Sequence, residues 1–398
     1  MKAPAFWRNS PGLASLLLGP LAHLYGAVAA ARLRRTGERL PCPVICIGNV
    51  TLGGAGKTPT AIAVASLLVE LGRRPAFLTR GYGGSLRGPV LVDPSRHGPA
   101  EMGDEALILA RHAPTVVARD RPAGARLCLE NGADVVVMDD GMQNPSLVKD
   151  LTIAVFDGEA RIGNGRVFPA GPLRAPLAAQ MALVDATVTV TASQSIGGAH
   201  PSPLRGGPSR RQQIRPTAGP MTGFTPPGVG VGQDRASLVP SAPTPPDPRA
   251  QTRGSVPSHK REGSAREPPT FSAALVPDPD AAARLRGRRV LAFAGIGRPE
   301  KFFATLRACG AEVVETIAFA DHHVFTPQET ARLLARAGAA DLIPVTTEKD
   351  SVRLGTVMDP ARFATLPVSL RFERPDEVVD LLRRAVSPAP SAGGGRAG

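Results

Sequence analysis

Residues 42–71 read CPVICIGNVTLGGAGKTPTAIAVASLLVEL. The run Val44 to Ile47 is short, apolar and β-branched, the composition of a strand buried on both faces. The stretch from about Thr58 to Leu71 is rich in Ala, Leu and Val and ends at Gly72, which predicts a helix. Pro59 falls in that helix's first turn, where a missing N–H costs nothing. Between strand and helix lie Thr51, Leu52, Gly53, Gly54, Ala55 and Gly56, followed by Lys57 and Thr58. Glycines let backbone N–H groups close around an anion at a helix N-terminus, Lys57 supplies charge for the β- and γ-phosphates, and Thr58 offers a hydroxyl to Mg²⁺. The strict G-x-x-x-x-G-K-[ST] pattern is missed at one place, since Thr51 stands where the first Gly belongs. The context of strand, loop and helix makes this a nucleoside triphosphate site.

From Pro41 to about Ala192 apolar runs alternate between the two periods. Strands are expected at 44–47, 75–79, 115–118, 134–138 and 151–156, and helices near 58–71, 103–112 and 121–131. This is an α/β domain with a mostly parallel sheet, whose ligands sit beyond the carboxyl ends of the strands. The run DVVVM ends in Asp139 and Asp140. Two acids rarely close a buried strand for packing reasons, whereas a metal-bound triphosphate needs such a carboxylate opposite its phosphate loop. Helix capping is the bland alternative for one of the two. Gly103-Asp104-Glu105 opens a helix, and a capping box or first-turn acids would explain it as well as chemistry would. Residues 163–176, GNGRVFPAGPLRAP, form a loop carrying Arg166 and Arg174, which suit an anionic substrate.

Residues 271–385 resume the alternation and predict a second, smaller parallel-sheet unit, with PVSLRF as its fourth strand. Its loops carry Asp321-His322-His323 and Thr347-Glu348-Lys349-Asp350; His322 reads equally as an acid/base element or a surface histidine. Residues 193–270 hold fifteen prolines and ten Lys/Arg against four Asp/Glu, a disordered insert with a balance of +6. That is nearly half of the chain's +13, so the net charge is no footprint for nucleic acid, and the few aromatics argue the same way. The four cysteines show no metal-ligand spacing and fit reduced core thiols.

Residues 12–31, GLASLLLGPLAHLYGAVAAA, lack any Asp, Glu, Lys or Arg, and Arg32, Arg34, Arg35 and Arg39 follow. A membrane anchor, spanning or interfacial, is one reading, and an apolar helix packed on the body is the other; Pro20 is expected to kink its middle. The organisation that results is an N-terminal helix in 1–40, a phosphate-loop core in 41–192, the insert in 193–270, a smaller α/β domain in 271–385 and a tail in 386–398.

The ordered set GNVTLGGAGKTP, TRGYGG, GDE, VARDR, DDGMQN, PAGPLR, FAGIGRPEKFF, ADHH and TEKDSVRL resembles the tetraacyldisaccharide 4′-kinase family of lipid A biosynthesis. In that family Thr also occupies the first phosphate-loop position. The resemblance implies transfer of the γ-phosphate of ATP, with Mg²⁺, to the 4′-hydroxyl of an acylated glucosamine disaccharide 1-phosphate, at the cytoplasmic face of the inner membrane, with the N-terminal helix as anchor and no nucleic acid as partner. It implies Asp104 as catalytic base partnered by His322, and Asp139 and Asp140 at the metal with Thr58. It also implies Arg80, Tyr82, Arg119, Gln143 and Arg174 as residues lining the site. One departure stands in the loop, where Ala175 occupies a position that the family usually fills with Glu.

Overall fold

The computed structural model describes residues 4–7, 12–192, 267–355 and 357–387. The expected insert, apart from its last four residues, and the expected tail, apart from Val386 and Ser387, lie outside the described residues.

The apolar stretch at the start forms two helices, α1 (Leu13–Leu17) and α2 (Gly19–Leu33). Pro20 does not kink one long helix; it sits in the first turn of α2, where its missing N–H is an orphan in any case. Helix α2 buries its small residues, Ala22, Gly26 and Ala30, and exposes Leu21, Leu24 and Val28. A Cβ at Gly26 would lie 3.5 Å from Pro176, so the small stripe lets the helix backbone approach the body closely. Among the described residues no helix is long and apolar enough to cross a membrane.

The next segment follows the expected alternation: β1 (Val44–Gly48), α3 (Lys57–Glu70), β2 (Pro75–Thr79), β3 (Val90–Leu91), α4 (Pro99–Met102), α5 (Asp104–Leu109), β4 (Thr115–Val117), α6 (Arg121–Glu130), β5 (Val135–Asp139), β6 (Leu151–Asp157), α7 (Leu177–Met181) and β7 (Ala186–Ala192). Beyond the insert come β8 (Thr270–Pro277), α8 (Pro279–Leu285), β9 (Arg289–Ala294), α9 (Pro299–Ala308), β10 (Glu312–Ala318), α10 (Pro327–Ala339), β11 (Ile343–Thr347), α11 (Glu348–Leu354), β12 (Ala364–Leu366), β13 (Val368–Phe372) and α12 (Pro375–Val386).

Nine strands form one sheet in the order β13-β8-β7-β6-β1-β5-β2-β4-β3, parallel throughout except for its two edge strands. A second, parallel sheet has the order β10-β9-β11-β12. The boundary expected at 271 therefore falls inside a strand of the large sheet, and PVSLRF is that sheet's antiparallel edge rather than a strand of the smaller unit. A run such as VSLRF, half-buried and alternating, fits either sheet; its antiparallel pairing with β8 decides.

Strand β1 is buried along its whole length and lies between β5 and β6. Its pairing sets Ile47 opposite Asp139, so the loop leaving β1 and the acids ending β5 emerge side by side. Apolar clusters cover both faces of the large sheet, under α3 and α12 on one side and α6 on the other. A further cluster joins α5 to α11 through Met102, Leu107, Val117 and Val352, which ties the smaller sheet to the larger one beside Asp104. Cys42, Cys46 and Cys128 are buried in the core, where burial pushes their thiols up to about 11, about 11 and about 12, far from reactivity.

Candidate active site

The phosphate loop leaves β1 and turns into α3 through Gly56, whose φ of 88° is the left-handed conformation that glycine tolerates best. Thr51 needs no such freedom. It pairs in extended backbone with Leu173, and the N–H of Leu52 donates to the carbonyl of Pro172 at 2.8 Å. A β-branched residue suits that geometry, which is the local reason a Thr replaces the usual Gly.

Asp139 is buried at the end of β5, and Thr58 donates its hydroxyl to Asp139 Oδ2 at 3.1 Å. The other oxygen, Oδ1, is buried without a hydrogen-bond partner. Burial, with Glu105 and Asp140 nearby, pushes the carboxyl of Asp139 up to about 7 against the pull of Lys57 and Thr58. Asp140 has φ 54° and leaves the strand direction. Its two oxygens receive Nη1 and Nη2 of Arg174 at 2.9 and 3.1 Å, and Lys57 Nζ lies 3.9 Å away. Burial opposes its ionisation, but Lys57 and Arg174 hold this carboxyl below its ordinary value.

Arg174 also donates from Nε to the carbonyl of Thr51 at 3.0 Å and from Nη1 to Gln143 Oε1 at 3.2 Å. Gln143 in turn donates to the carbonyl of Asn49 and to Gln180 Oε1. The loop 163–176 thus braces the phosphate loop from one side. Ala175, where the resemblance calls for Glu, is buried, and its carbonyl accepts from Gln180 Nε2 at 2.7 Å. Arg166 is not in this network; it lines an apolar cavity of about 520 Å³ between α2 and the loop.

The second constellation forms where α5 meets α11. Gly103 precedes Asp104 with φ 80°, and a Cβ there would sit 2.3 Å from the carbonyl oxygen of Tyr82. The TRGYGG loop and the GDE turn are therefore nested, a relation invisible in either motif alone. Asp104 is only 4% exposed and does not cap its helix. Its Oδ2 accepts from Arg353 Nε at 2.9 Å and from Arg353 Nη2, with His322 Nδ1 at 3.5 Å and Lys349 Nζ at 3.9 Å. Burial works against the charge, yet His322, Lys349 and Arg353 together hold Asp104 well below the usual carboxylate range. Lys349 donates to Glu105 at 3.1 Å and lies 3.3 Å from His322 Nε2. His322 has φ 57°, and the ring of Tyr82 stands edge-on to its imidazole at 5.1 Å between centroids.

Glu105 links the two groups of residues, since it pairs with Lys349 while its charge raises Asp139. Arg121 is buried with its charge acting on both Asp139 and Asp140, and Arg80 lies close enough to oppose it. Arg80, Tyr82 and Arg119 are exposed. Of the residues expected in the site, Lys57, Thr58, Asp139, Asp140, Gln143 and Arg174 share one network, and Asp104, His322 and Tyr82 share another. Arg353 stands in the TEKDSVRL motif but is not singled out by its letters, and Lys349 reads there only as part of a charged loop. The one available signal is a charged residue flanked by Val352 and Leu354 on a helix of seven residues.

The family model described as Tetraacyldisaccharide-1-P 4'-kinase matches residues 14–224 and 241–387. The Tetraacyldisaccharide 4'-kinase of Methylobacterium sp. (strain 4-46) is 50% identical over 385 residues, covering 96% of this chain and 97% of that one. Its counterpart in Methylobacterium nodulans is 49% identical over 392 residues, 98% of each chain. A crystal structure of LpxK from Aquifex aeolicus in complex with ATP superposes with a TM-score of 0.62, covering 94% of this chain and 100% of that one; at 24% identity the likeness is one of fold.

Proposed function

The chain belongs to the tetraacyldisaccharide-1-P 4'-kinase family, and from that premise we propose that it transfers the γ-phosphate of ATP to the 4′-hydroxyl of a tetraacyldisaccharide 1-phosphate in lipid A biosynthesis. The observation that carries the reading is the pairing of a phosphate loop with a buried, ionised Asp104, joined through Glu105. Loop amides and Lys57 hold the triphosphate, and Asp104, with His322 beside it, accepts the proton of the sugar hydroxyl. Arg80, Tyr82 and Arg119, exposed at the carboxyl ends of the strands, would meet the anionic sugar, with Arg174 and Gln143 behind the loop.

The orphan Oδ1 of Asp139 and the hydroxyl of Thr58 fit a divalent cation, and two protein oxygens suit Mg²⁺, which otherwise takes phosphate oxygens and water. Asp139 and Thr58 would hold it, while Asp140 is committed to Arg174. When bound there, the ion would supply charge neutralisation on the triphosphate.

Helices α1 and α2 expose Leu13, Leu16, Leu17, Leu21, Leu24 and Val28, and Arg32, Arg34 and Arg35 follow. We read this as attachment to the cytoplasmic face of the inner membrane, lying in the headgroup interface, since a tetraacylated substrate stays in the bilayer. The test of the activity is incubation of the protein with ATP, Mg²⁺ and the purified disaccharide 1-phosphate, followed by mass spectrometry. The product gains one phosphate, and Asp104→Ala lowers kcat by roughly 10²–10⁴. An unchanged mass with active-quality protein removes the reading.

A further inference from the structure

We propose, on the reading of Asp104 as the base, that Arg353 is the positioning residue of the reaction: it fixes Asp104 through Oδ2 alone, so that Oδ1 receives the hydroxyl proton. The two arginine–carboxylate pairs of the site differ in the way that matters. Arg174 gives one Nη to each oxygen of Asp140, at 2.9 and 3.1 Å, and occupies the whole carboxylate. Arg353 instead brings Nε, at 2.9 Å, and Nη2 to the single oxygen Oδ2 of Asp104. His322 Nδ1 and Lys349 Nζ gather on that same oxygen. Among the described residues no hydrogen bond reaches Oδ1. A carboxylate has about four acceptor positions, and here the protein uses those of one oxygen only.

Arg353 is itself held in place. Its Nη1 donates to Asp350 Oδ1 and to the carbonyl of Gly295, both at 2.9 Å. The second oxygen of Asp350 accepts from the N–H of Gly295 at 3.0 Å and from the Thr347 hydroxyl at 2.7 Å. The plane of the guanidinium is thus set by the ends of β9 and β11, in the smaller sheet, while the carboxylate it orients belongs to α5 beside the large one. Lys349, between Glu105 and His322, keeps a second cation at the same oxygen. The charged and titratable groups that face Asp104 are therefore Arg353 and Lys349 from α11, His322 from the loop after β10, and Glu105 from α5. Asp350 stands behind Arg353, and Asp321 Oδ1 lies 3.9 Å from His322 Nε2.

This arrangement has a chemical consequence. In the transfer the hydroxyl O–H bond breaks and its oxygen bonds the γ-phosphorus. The proton passes to Oδ1, and the electron pair of the β,γ-bridging P–O bond leaves with ADP. A carboxylate gripped by two cations is a weak proton acceptor, so its value lies in placement and negative charge more than in basicity. That suits a loose transition state in which the nucleophile loses its proton late.

The test uses the full-length protein with ATP and the disaccharide 1-phosphate, and the variants Arg353→Lys, Lys349→Met and Asp104→Asn, each checked by thermal melting. A lysine cannot fork onto one oxygen, so Arg353→Lys lowers kcat by roughly 10- to 100-fold while KM for ATP holds. Lys349→Met removes a cation from that oxygen, so the acid limb of its kcat–pH profile moves upward, while Arg353→Lys keeps the charge and loses only the fork. An unchanged kcat in Arg353→Lys, with Asp104→Asn inactive, overturns the inference and leaves the base assignment standing. Full activity in Asp104→Asn removes the base assignment and the inference with it. If Arg353→Lys does not fold, Arg353→Gln, which also lacks the fork, is read in the same way.

Discussion

Asp139 ends β5 with its carboxylate inside the protein, and the next residue, in left-handed backbone, carries its own to Lys57 and Arg174. The sequence marks both acids as the close of a buried strand, but which of them keeps an open oxygen depends on the φ of Asp140 and on an arginine 34 residues away. The difference is measurable. Burial and acidic neighbours raise Asp139 to about 7 in the folded chain, so the folded state binds this proton more tightly than the unfolded one. Stability from that proton is fully present below the unfolded value and is lost as pH rises towards about 7. Asp139→Asn stays neutral throughout, so in metal-free buffer its gain in Tm over the parent is a few degrees at about pH 8 and smaller at about pH 5. Melting curves at the two values check this; a gain equal at both contradicts the raised carboxyl. Arg353 and Lys349 are less legible than the acids. Their partner, Asp104, lies some 250 positions earlier, and nothing local tells a buried arginine from a surface one on so short a helix.

The strand–loop–helix unit is legible element by element because each part is determined locally. Buried β-branched residues make β1, Gly56 supplies the turn, and Pro59 sits where a helix accepts it. The TRGYGG loop and the GDE turn are legible only as loops, because their meaning lies in a close approach between two backbones. Gly103 and Gly84 each sit where a Cβ would come within 2.5 Å of the other segment's carbonyl oxygens. Gly103→Ala meets that clash and a φ of 80° together, a cost of about 1–3 kcal/mol from the backbone conformation before any steric shift. The strain falls on Tyr82 and Asp104, away from the phosphate loop. We expect Tm and kcat to drop while KM for ATP stays near that of the parent, read from melting curves and steady-state kinetics. A large rise in KM for ATP, with kcat intact, contradicts this placement of the turn.

At the scale of the whole molecule, the alternation of periods announces two parallel sheets but not how the chain divides between them. Strands β8 and β13 return to the large sheet, so the smaller one is an excursion from it, and its α11 comes back to meet α5 at Asp104. The N-terminal stretch shows the same division between what is local and what is not. Its apolarity is plain in the sequence, but which residues face the body depends on α2 meeting Pro176 through Gly26. The small residues are spent on that contact, and the leucines are left outside with the arginines after them. Burial of one leucine is worth about 1.5–3 kcal/mol when complete, so the triple change Leu16→Ser, Leu17→Ser and Leu21→Ser should weaken binding to anionic vesicles by at least roughly tenfold. None of the three is buried in the body, so Tm should hold. Activity on substrate dispersed in detergent should then persist while activity on substrate in bilayers falls, and added salt should weaken the parent's attachment through its arginines. Flotation of the variant with vesicles at the parent's level would show that this face serves something other than a membrane.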